Sequence, residues 1–266
     1  MGPKIVISIL TWDSIAYTRN LLANLEWAVP GTDTRIMILD QGSEEETRNL
    51  LRTYVPAHPN MIATLLTGNI GYSAGHNYNF RKALETGPFD YFITVNSDVL
   101  FGDNNWANQM AEAMECNPRA GLGGPLAFKS VDQRFITDAS RAEMRNGDFY
   151  FITGAICIIR TATAMQCGLF DEIYTPAYAE DTDMAMRYLY FGWQQLYIEM
   201  SVIHGYLGEK HKVSAIKMDQ LKQKYGDFKR RNADVFYRRW NNKSPLYQEK
   251  SPLEWGDTLY IPGRSS

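Results

Sequence analysis

The sequence is poor in cysteine, with three residues at Cys116, Cys157 and Cys167. An odd count argues against a disulfide-stapled scaffold, and the lack of any CxxC pair argues against a structural zinc site. Cysteines used this sparingly are typical of proteins that fold in a reducing compartment. We therefore expect a cytoplasmic protein.

Long apolar runs and strong positive charge are also missing. No stretch approaches the roughly 18–20 apolar residues that cross a bilayer, and Met1–Lys4 has no signal-peptide core, so we expect no transmembrane segment. The longest apolar run, Ile152–Ile159, has the length of a buried strand. A formal net charge of -3 excludes coating of nucleic acid by overall charge. A nucleic-acid partner would need a local basic surface.

The composition is that of a folded domain. Hydrophobic residues make up 45% and charged residues 21% of the 266 residues, close to globular averages and unlike disordered chains. This length suits one large α/β domain with a short appendage better than two full domains.

The first 105 residues predict alternating strands and helices. The apolar runs predict strands at Ile5–Leu10, Arg35–Leu39, Ile62–Thr67 and Tyr91–Val95. The periodic segments predict three helices: one at Ala16–Leu25, a second that ends at Tyr54, and a third at Tyr72–Glu85. A capping box of Ser43 and Glu46 is predicted to open the second helix. This alternation implies a parallel sheet that binds ligands at its carboxyl edge. Four polar residues lie at such strand ends: Thr11, Asp40, Asn69 and Asp98.

The pattern changes after a predicted helix at Trp106–Cys116. Strands without regular helices between them are predicted next, and we expect this half to bind the acceptor of a reaction: Gly121–Phe128, Arg134–Thr137 and Phe149–Ile159. The remaining predicted elements are a helix at Asp181–Phe191, strands at Gln194–Ile198 and Met200–Ile203, and a basic helical stretch at Val213–Arg239. An extended tail follows from Asn242.

Two residues far apart in the sequence predict a cation site. Asn96-Ser97-Asp98 ends an apolar strand, where a carboxylate suits Mg²⁺ or Mn²⁺ bridging two phosphates. His204 follows a strand-like segment, and a neutral imidazole would add a ligand and favour Mn²⁺. Each residue also has a structural explanation, as an Asx-turn for Asp98 and as an ordinary surface or core side chain for His204.

Two further segments carry candidate chemistry. Asn69-Ile70-Gly71 through Asn77 places glycines at a strand-to-helix junction, where backbone amides approach phosphate closely, although a capped loop is the alternative. Glu180-Asp181-Thr182-Asp183 puts three carboxylates before a helix, and the helix dipole accounts for at least one but does not require three. Asp181 is the candidate general base.

The segment between Lys210 and Trp240 contains ten Lys or Arg residues against three Asp. A solvated helix face is one interpretation. A clamp on donor phosphates and a surface for an anionic acceptor are the others.

Taken in order, these motifs resemble the inverting family-2 glycosyltransferases of the GT-A fold, particularly the rhamnosyltransferase-like branch. The resemblance runs from about Ile5 to Gly205. It depends on an ordered set of segments: Thr11-Trp12-Asp13, Asp40-Gln41-Gly42-Ser43, Asn69-Ile70-Gly71, Gly75-His76-Asn77, Asn96-Ser97-Asp98, Thr153-Gly154-Ala155, Phe170-Asp171-Glu172, Glu180–Met184 with Arg187, and His204.

The resemblance implies a nucleotide-diphosphate sugar donor of the UDP or dTDP type. In the family's pattern Thr11 and Asp40 hold the nucleotide, with Asp40 accepting from a pyrimidine nitrogen and Trp12 beside the base. The remaining residues expected at the donor are Asn69, Gly71, Asn77, Asn96 and Ser97.

The resemblance also implies a catalytic set. Asp98 and His204 would bind Mn²⁺ or Mg²⁺, although Asn96 replaces the first acid of the family's Asp-x-Asp motif. Asp181 would deprotonate an acceptor hydroxyl, with Glu180 orienting the acceptor and Gly154 lining its pocket. A single displacement of this kind inverts the anomeric carbon.

The predicted organisation is an α/β, GT-A, mostly parallel sheet flanked by helices, with a helical C-terminal extension. The glycosyltransferase domain spans 1–209, divided into a nucleotide-sugar half (1–105) and an acceptor half (106–209), and the basic extension spans 210–266. Alternatives are a non-catalytic nucleotide-sugar or carbohydrate-binding module, a nucleotidyltransferase, and an enzyme whose acceptor is a polyanion such as modified DNA. The sequence leaves open a homodimer.

Overall fold

The computed structural model describes residues 2–13, 15–28, 33–129, 135–136, 150–205, 210–240, 248–256 and 258–262. The strands in these ranges are β1 (Ile5–Thr11), β2 (Thr34–Gln41), β3 (Met61–Leu66), β4 (Tyr91–Asn96), β5 (Val99–Phe101), β6 (Ala120–Gly124), β7 (Ala127–Lys129), β8 (Phe135–Ile136), β9 (Tyr150–Ile152), β10 (Ile156–Arg160), β11 (Gln194–Tyr197) and β12 (Val202–His204). The helices are α1 (Ile15–Ala28), α2 (Glu45–Tyr54), α3 (Tyr72–Glu85), α4 (Trp106–Cys116), α5 (Thr161–Cys167), α6 (Glu180–Tyr190), α7 (Lys210–Tyr225) and α8 (Phe228–Trp240). None of the helices within these ranges is long and apolar enough to cross a membrane.

A central sheet organises the molecule. Across the described residues it has seven strands in the order β11-β6-β10-β4-β1-β2-β3. β1 runs parallel to β2 and β4, and β2 runs parallel to β3, whereas β10 is antiparallel to its neighbours. The predicted mostly parallel α/β sheet is therefore confirmed, and the ends of β1, β2 and β4 meet at one edge.

Both faces of this sheet are buried. Alternate residues of each strand point to opposite sides, so each strand contributes side chains to both faces. Ile5 and Ile7 of β1 belong to one apolar cluster, which includes residues of α1 and α4. Val6 belongs to a second cluster with residues of α3, α5 and α6. Covering both faces in this way is what parallel sheets require.

Two predicted strands in the second half are each divided in the structure. Gly121–Phe128 becomes β6 and β7, separated at Pro125, whose nitrogen has no proton to donate to a ladder. Phe149–Ile159 becomes β9 and β10, so the single buried strand predicted over Ile152–Ile159 is wrong. β7 and β9 pair in a small separate sheet, while β6 and β10 lie in the central one. Helix α5, which follows β10, was not predicted.

The predicted capping box is also wrong. The residue that caps α2 is Glu44, and its side chain makes no capping hydrogen bond. The Ser43 hydroxyl instead accepts from the Asp13 amide at 2.9 Å. Ser43 thus joins the loops after β1 and β2 rather than opening the helix.

The basic helical stretch predicted over Val213–Arg239 consists of two helices, α7 and α8. Gly226 ends α7 with φ of 67°, and its amide donates to the Lys222 carbonyl at 2.8 Å. Glycine adopts this left-handed conformation without the steric cost that other residues pay. The Asp227 carboxylate then accepts from the Arg230 amide at 3.4 Å at the start of α8.

Helix α8 packs into the buried core of the molecule. Trp240 is 1% exposed and belongs to the same apolar cluster as Phe80 and Met184, and Asn232 has no exposed surface. The indole nitrogen of Trp240 donates to Asp183 Oδ1 at 3.1 Å. A domain boundary at residues 209/210 stays a prediction, but α8 supports the fold directly.

Removing the Trp240 ring tests this packing. Trp240→Ala should lower the free energy of unfolding by about 3–5 kcal/mol, because it empties a large core volume and removes a donor to a buried carboxylate. Urea unfolding followed by circular dichroism measures the change. Tyr237→Ala is the control, since Tyr237 lies on the same helix and is 54% exposed, and its cost should stay within about 0.5 kcal/mol. Equal costs for the two variants would contradict the packing described.

Candidate active site

The ends of β1 and β2 form the first part of the site. Thr11 and Asp40 are partners in the sheet register, and the Thr11 hydroxyl donates to Asp40 Oδ1 at 3.2 Å. Asp40 Oδ2 accepts from the Ser43 amide and from Arg48 Nη1, both at 3.2 Å. Asp40 has no exposed surface. Protein donors thus occupy both carboxylate oxygens of Asp40 in this structure. Direct contact between Asp40 and a pyrimidine stays a prediction.

A cleft opens beside these strand ends. It has a volume of about 160 Å³, and four of the predicted nucleotide-sugar residues line it together: Thr11, Trp12, Asn69 and Ser97. Tyr72 and Lys217 also line the cleft and were not predicted to do so. Residues of β1, of the turn after β3 and of the turn after β4 therefore face one space.

The glycine-rich turn before α3 is explained mainly by packing. Asn69 Oδ1 accepts from the Gly71 amide at 2.7 Å, and Gly71 has φ of 94°. A Cβ at Gly71 would lie 3.0 Å from the Pro176 carbonyl oxygen. The Tyr72 amide donates to that same oxygen at 2.7 Å. The Tyr72 amide is therefore used within the protein, and the approach of a diphosphate to this turn stays a prediction.

Asn77 is a second correction among the predicted donor residues. It is fully buried, and its side-chain amide donates to the Phe170 carbonyl at 2.9 Å and to Glu172 Oε1 at 3.0 Å. Its side-chain oxygen accepts from the Phe170 amide at 3.2 Å. Asn77 thus fixes the segment before α6 and does not line the cleft.

The two residues predicted to bind a cation lie together. His204 Nε2 is 3.3 Å from Asp98 Oδ1, and both side chains are partly exposed. The pairing of β5 with β12 produces this approach, because Val99 is opposite His204 in the register. The Gly205 amide also donates to the Asp98 carbonyl at 2.7 Å.

This pair fits a divalent cation that takes its other ligands from a substrate. Adjacent ligands of an octahedral ion at about 2.1 Å lie about 3.0 Å apart, close to the observed separation. One carboxylate and one imidazole are a donor set that Mn²⁺ accepts. Among the described residues, no group of three or more His, Cys, Asp or Glu side chains is placed to hold a metal. A cation here would depend on phosphate oxygens to complete its coordination.

The candidate base lies at the start of α6. The Gly154 amide donates to Asp181 Oδ2 at 3.1 Å, and the Thr182 amide donates to Asp181 Oδ1 at 2.7 Å. Burial raises the pKa of Asp181, while these backbone hydrogen bonds oppose the rise. Asp181 remains partly exposed.

Glu180 and Tyr72 complete this part of the site. The Tyr72 hydroxyl donates to the Gly154 carbonyl at 2.6 Å, and a Cβ at Gly154 would collide with that hydroxyl. Glu180 is 6% exposed. Burial raises its pKa well above the ordinary value, and the charge of Asp181 raises it further. Within the described residues, Glu180 Oε2 has no hydrogen-bond partner.

The cation pair and the candidate base are connected through one backbone contact. The Asn96 amide donates to the Ala155 carbonyl at 2.8 Å. Asn96 begins the turn that contains Asp98, and Ala155 follows Gly154, which holds Asp181. This hydrogen bond therefore joins the turn that carries Asp98 to the segment that holds Asp181.

Asp183 was named only as part of a motif, and its role was not predicted. It is fully buried, and its carboxylate accepts from Arg187 Nε at 2.8 Å, from the Tyr174 hydroxyl at 2.9 Å and from Trp240 Nε1. The sequence held one signal for this role: three acids begin the helix, whereas the helix dipole does not require three.

Asn232 of α8 is a further residue that sequence reasoning missed. Its amide donates to the carbonyls of Tyr174 and Ala177 at 2.8 Å and of Tyr178 at 3.2 Å. These carbonyls belong to the loop that leads into α6. No periodicity or motif in α8 distinguishes this asparagine, so the sequence offered no signal.

Comparison with known proteins identifies the family. Residues 5–173, more than half of the chain, match the family described as Glycosyl transferase family 2. The chain belongs to this family. It is a glycosyltransferase, and the family supports nucleotide-sugar chemistry. No curated protein sequence matches the chain significantly.

Solved structures of glycosyltransferases share the GT-A fold with this chain. The mannosyltransferase PcManGT from Pyrobaculum calidifontis, in complex with GDP-Man and Mn²⁺, superposes with a TM-score of 0.62 at 15% identity, covering 92% of this chain and 72% of that one. S. aureus TarS gives a TM-score of 0.56 at 16% identity, covering 91% of this chain and 44% of that one. The chain thus spans less than half of that TarS structure.

The raised pKa of Glu180 predicts a distinctive dependence of stability on pH. Folding raises the pKa of this carboxyl group above its value in the unfolded chain, which is about 4.3. The fold therefore becomes less stable as the pH rises from the unfolded-state pKa through the folded-state pKa. Glu180→Gln should therefore raise the melting temperature at pH 8, and the gain should shrink as pH falls toward 4. Calorimetry across this range measures both effects.

Exposed Glu112 on α4 supplies the control for this experiment. Glu112→Gln should leave the melting temperature nearly unchanged at every pH, because its carboxyl group remains in water. A Glu180→Gln variant that is less stable than the parent at pH 8 would show that the ionised carboxylate is a stabilising group.

Proposed function

We propose that this glycosyltransferase moves a sugar from a nucleoside-diphosphate donor to an acceptor hydroxyl with inversion, using a divalent cation and Asp181 as base. The observation that carries this proposal is the Asn96–Ala155 contact. It sets the Asp98–His204 pair and the Gly154–Asp181 pair on adjoining turns at one sheet edge. A displacement needs this arrangement, with a leaving-group site next to a base.

The donor nucleotide is proposed to occupy the cleft beside β1. Thr11, Trp12 and Asn69 line this cleft, and the indole ring of Trp12 offers a face for the base to stack on. We expect a donor of the UDP or dTDP type, as the motif resemblance implies. Asp40 would support this cleft from behind through Thr11 and Arg48.

Asp98 and His204 are proposed to hold Mn²⁺ or Mg²⁺. When bound, such a cation offsets negative charge on the departing diphosphate. Asn96 in place of an acid leaves one fewer negative charge here than the family's Asp-x-Asp motif has. Asp98 and His204 also keep each other oriented, since their side chains contact at 3.3 Å.

Asp181 is proposed to take the proton of the acceptor hydroxyl. As that proton moves to Asp181, the acceptor oxygen forms a bond to the anomeric carbon, and the bond from that carbon to the diphosphate breaks with its electron pair leaving on the diphosphate. Gly154 and Thr182 amides hold the carboxylate in place. One displacement from the face opposite the leaving group inverts the configuration.

Glu180 is proposed to orient the acceptor. Its Oε2 atom is buried without a partner among the described residues, and an unsatisfied buried polar atom is costly unless a ligand satisfies it. An acceptor hydroxyl next to Asp181 would supply that hydrogen bond. Gly154 adds to this pocket because only a residue without Cβ fits beneath Tyr72.

Asp181→Asn tests the assignment of the base. The amide keeps the shape but cannot accept a proton, so transfer should fall by a factor of about 10²–10⁴, while Kd for UDP in the presence of Mn²⁺ stays within about two-fold. Release of UDP and isothermal titration measure the two quantities. An Asp181→Asn enzyme with full activity would remove the assignment.

Two comparison variants sharpen this test. Asp234→Asn makes the same chemical change at an exposed position of α8 and should leave both quantities unchanged. Asp98→Asn should instead abolish the Mn²⁺-dependent part of UDP binding, because it removes a proposed cation ligand. A parent protein that binds UDP but neither transfers sugar to any acceptor tested nor hydrolyses the donor would favour the non-catalytic binding module.

A further inference from the structure

Helix α7 covers the proposed donor cleft. Lys217 and Leu221, one helical turn apart, line the cleft together with Trp12 and Ser97. At the end of the helix, Lys224 Nζ and the Tyr225 hydroxyl donate to the Asn69 carbonyl at 3.1 and 3.3 Å. Part of the basic segment is therefore a wall of the cleft rather than a solvated face.

The spacing of these residues explains how one helix can do this. Positions 217, 221, 224 and 225 are separated by four, three and one residues, so they share one face of α7. Lys222 lies between them in sequence and is exposed. Lys217 and Lys222 thus differ in environment, one lining the cleft and the other lying in solvent.

Lys217 has the environment of an anion ligand. Its ammonium group lies 5.5 Å from the centre of the Trp12 ring. Burial lowers the pKa of Lys217 to about 8, and the nearby charges of Asp13 and Asp98 oppose this change. Lys217 is thus close enough to the proposed cation ligand Asp98 for their charges to interact.

We propose that Lys217 of α7 is a ligand of the donor diphosphate. This inference rests on the proposed function, which puts the base against Trp12 and the diphosphate at Asp98: Lys217 lies beside the Trp12 ring and its charge interacts with that of Asp98. Lysine binds phosphate as a compact point charge on a flexible stem.

The proposal predicts a dependence on phosphate number that a purely structural lysine would not produce. If Lys217 contacts the diphosphate, its loss weakens binding of UDP more than UMP and leaves uridine unaffected. If Lys217 only shapes the wall of the cleft, all three ligands lose affinity together.

Isothermal titration of the full chain with UDP, UMP and uridine, in Mn²⁺, tests this directly. Lys217→Met should weaken UDP binding by about ten-fold or more, as expected for loss of a charged hydrogen bond, and change uridine binding by less than about two-fold. Lys222→Met is the matched control, because it removes the same charge from an exposed position of the same helix. It should leave all three affinities within about two-fold.

Lys217→Arg guards against a variant that fails to fold. It keeps the positive charge and should retain most of the UDP affinity, so it tests the inference even if Lys217→Met is unstable. UDP affinity in Lys217→Met equal to that of the parent, or equal losses for UDP and uridine, would overturn the inference alone. Failure of the parent to bind any of UDP, dTDP and GDP would overturn the proposed function, and this inference with it.

Discussion

The buried carboxylate of Asp183 is the constraint on which the candidate site depends. It accepts hydrogen bonds from Arg187, Tyr174 and Trp240, so it joins α6 to the loop before it and to α8. Removing one partner from such a buried, charged pair is costly, by about 3–5 kcal/mol. The start of α6, which carries Glu180 and Asp181, is therefore held in one position by the charge two residues further along.

The same network makes the C-terminal segment part of the site. Asn232 of α8 donates to three carbonyls of the loop before α6, and the preceding α7 places Lys217 over the cleft. The sheet edge supplies Thr11 and Asp98, and α7 supplies Lys217 and Leu221. Elements that lie beyond the matched family segment, residues 5–173, thus position groups that the sheet cannot position alone.

Local pattern predicted much of this structure. The bounds of α3 and α4 and the strand ends at Thr11 and Asp40 follow from periodicity and turn residues, which act within a few positions. The division of the 149–159 run into two strands did not follow, because sheet membership is decided by distant partners. Asn77 and Asp183 were likewise read as motif members, whereas only the fold shows that their polar atoms are used inside the protein. Gly226 is a typical residue for the end of a helix and Asp227 for the start of the next. The prediction of a basic helical stretch used neither residue.

The central claim is that Asp98 and His204 form one cation site beside the donor cleft. Anomalous diffraction at the manganese edge, from crystals grown with UDP and Mn²⁺, tests it most directly. The account predicts one strong peak within about 2.0–2.3 Å of Asp98 and of His204 Nε2, next to the UDP phosphates. A peak bound by neither side chain, or UDP bound away from Trp12 with no manganese beside it, would contradict the account.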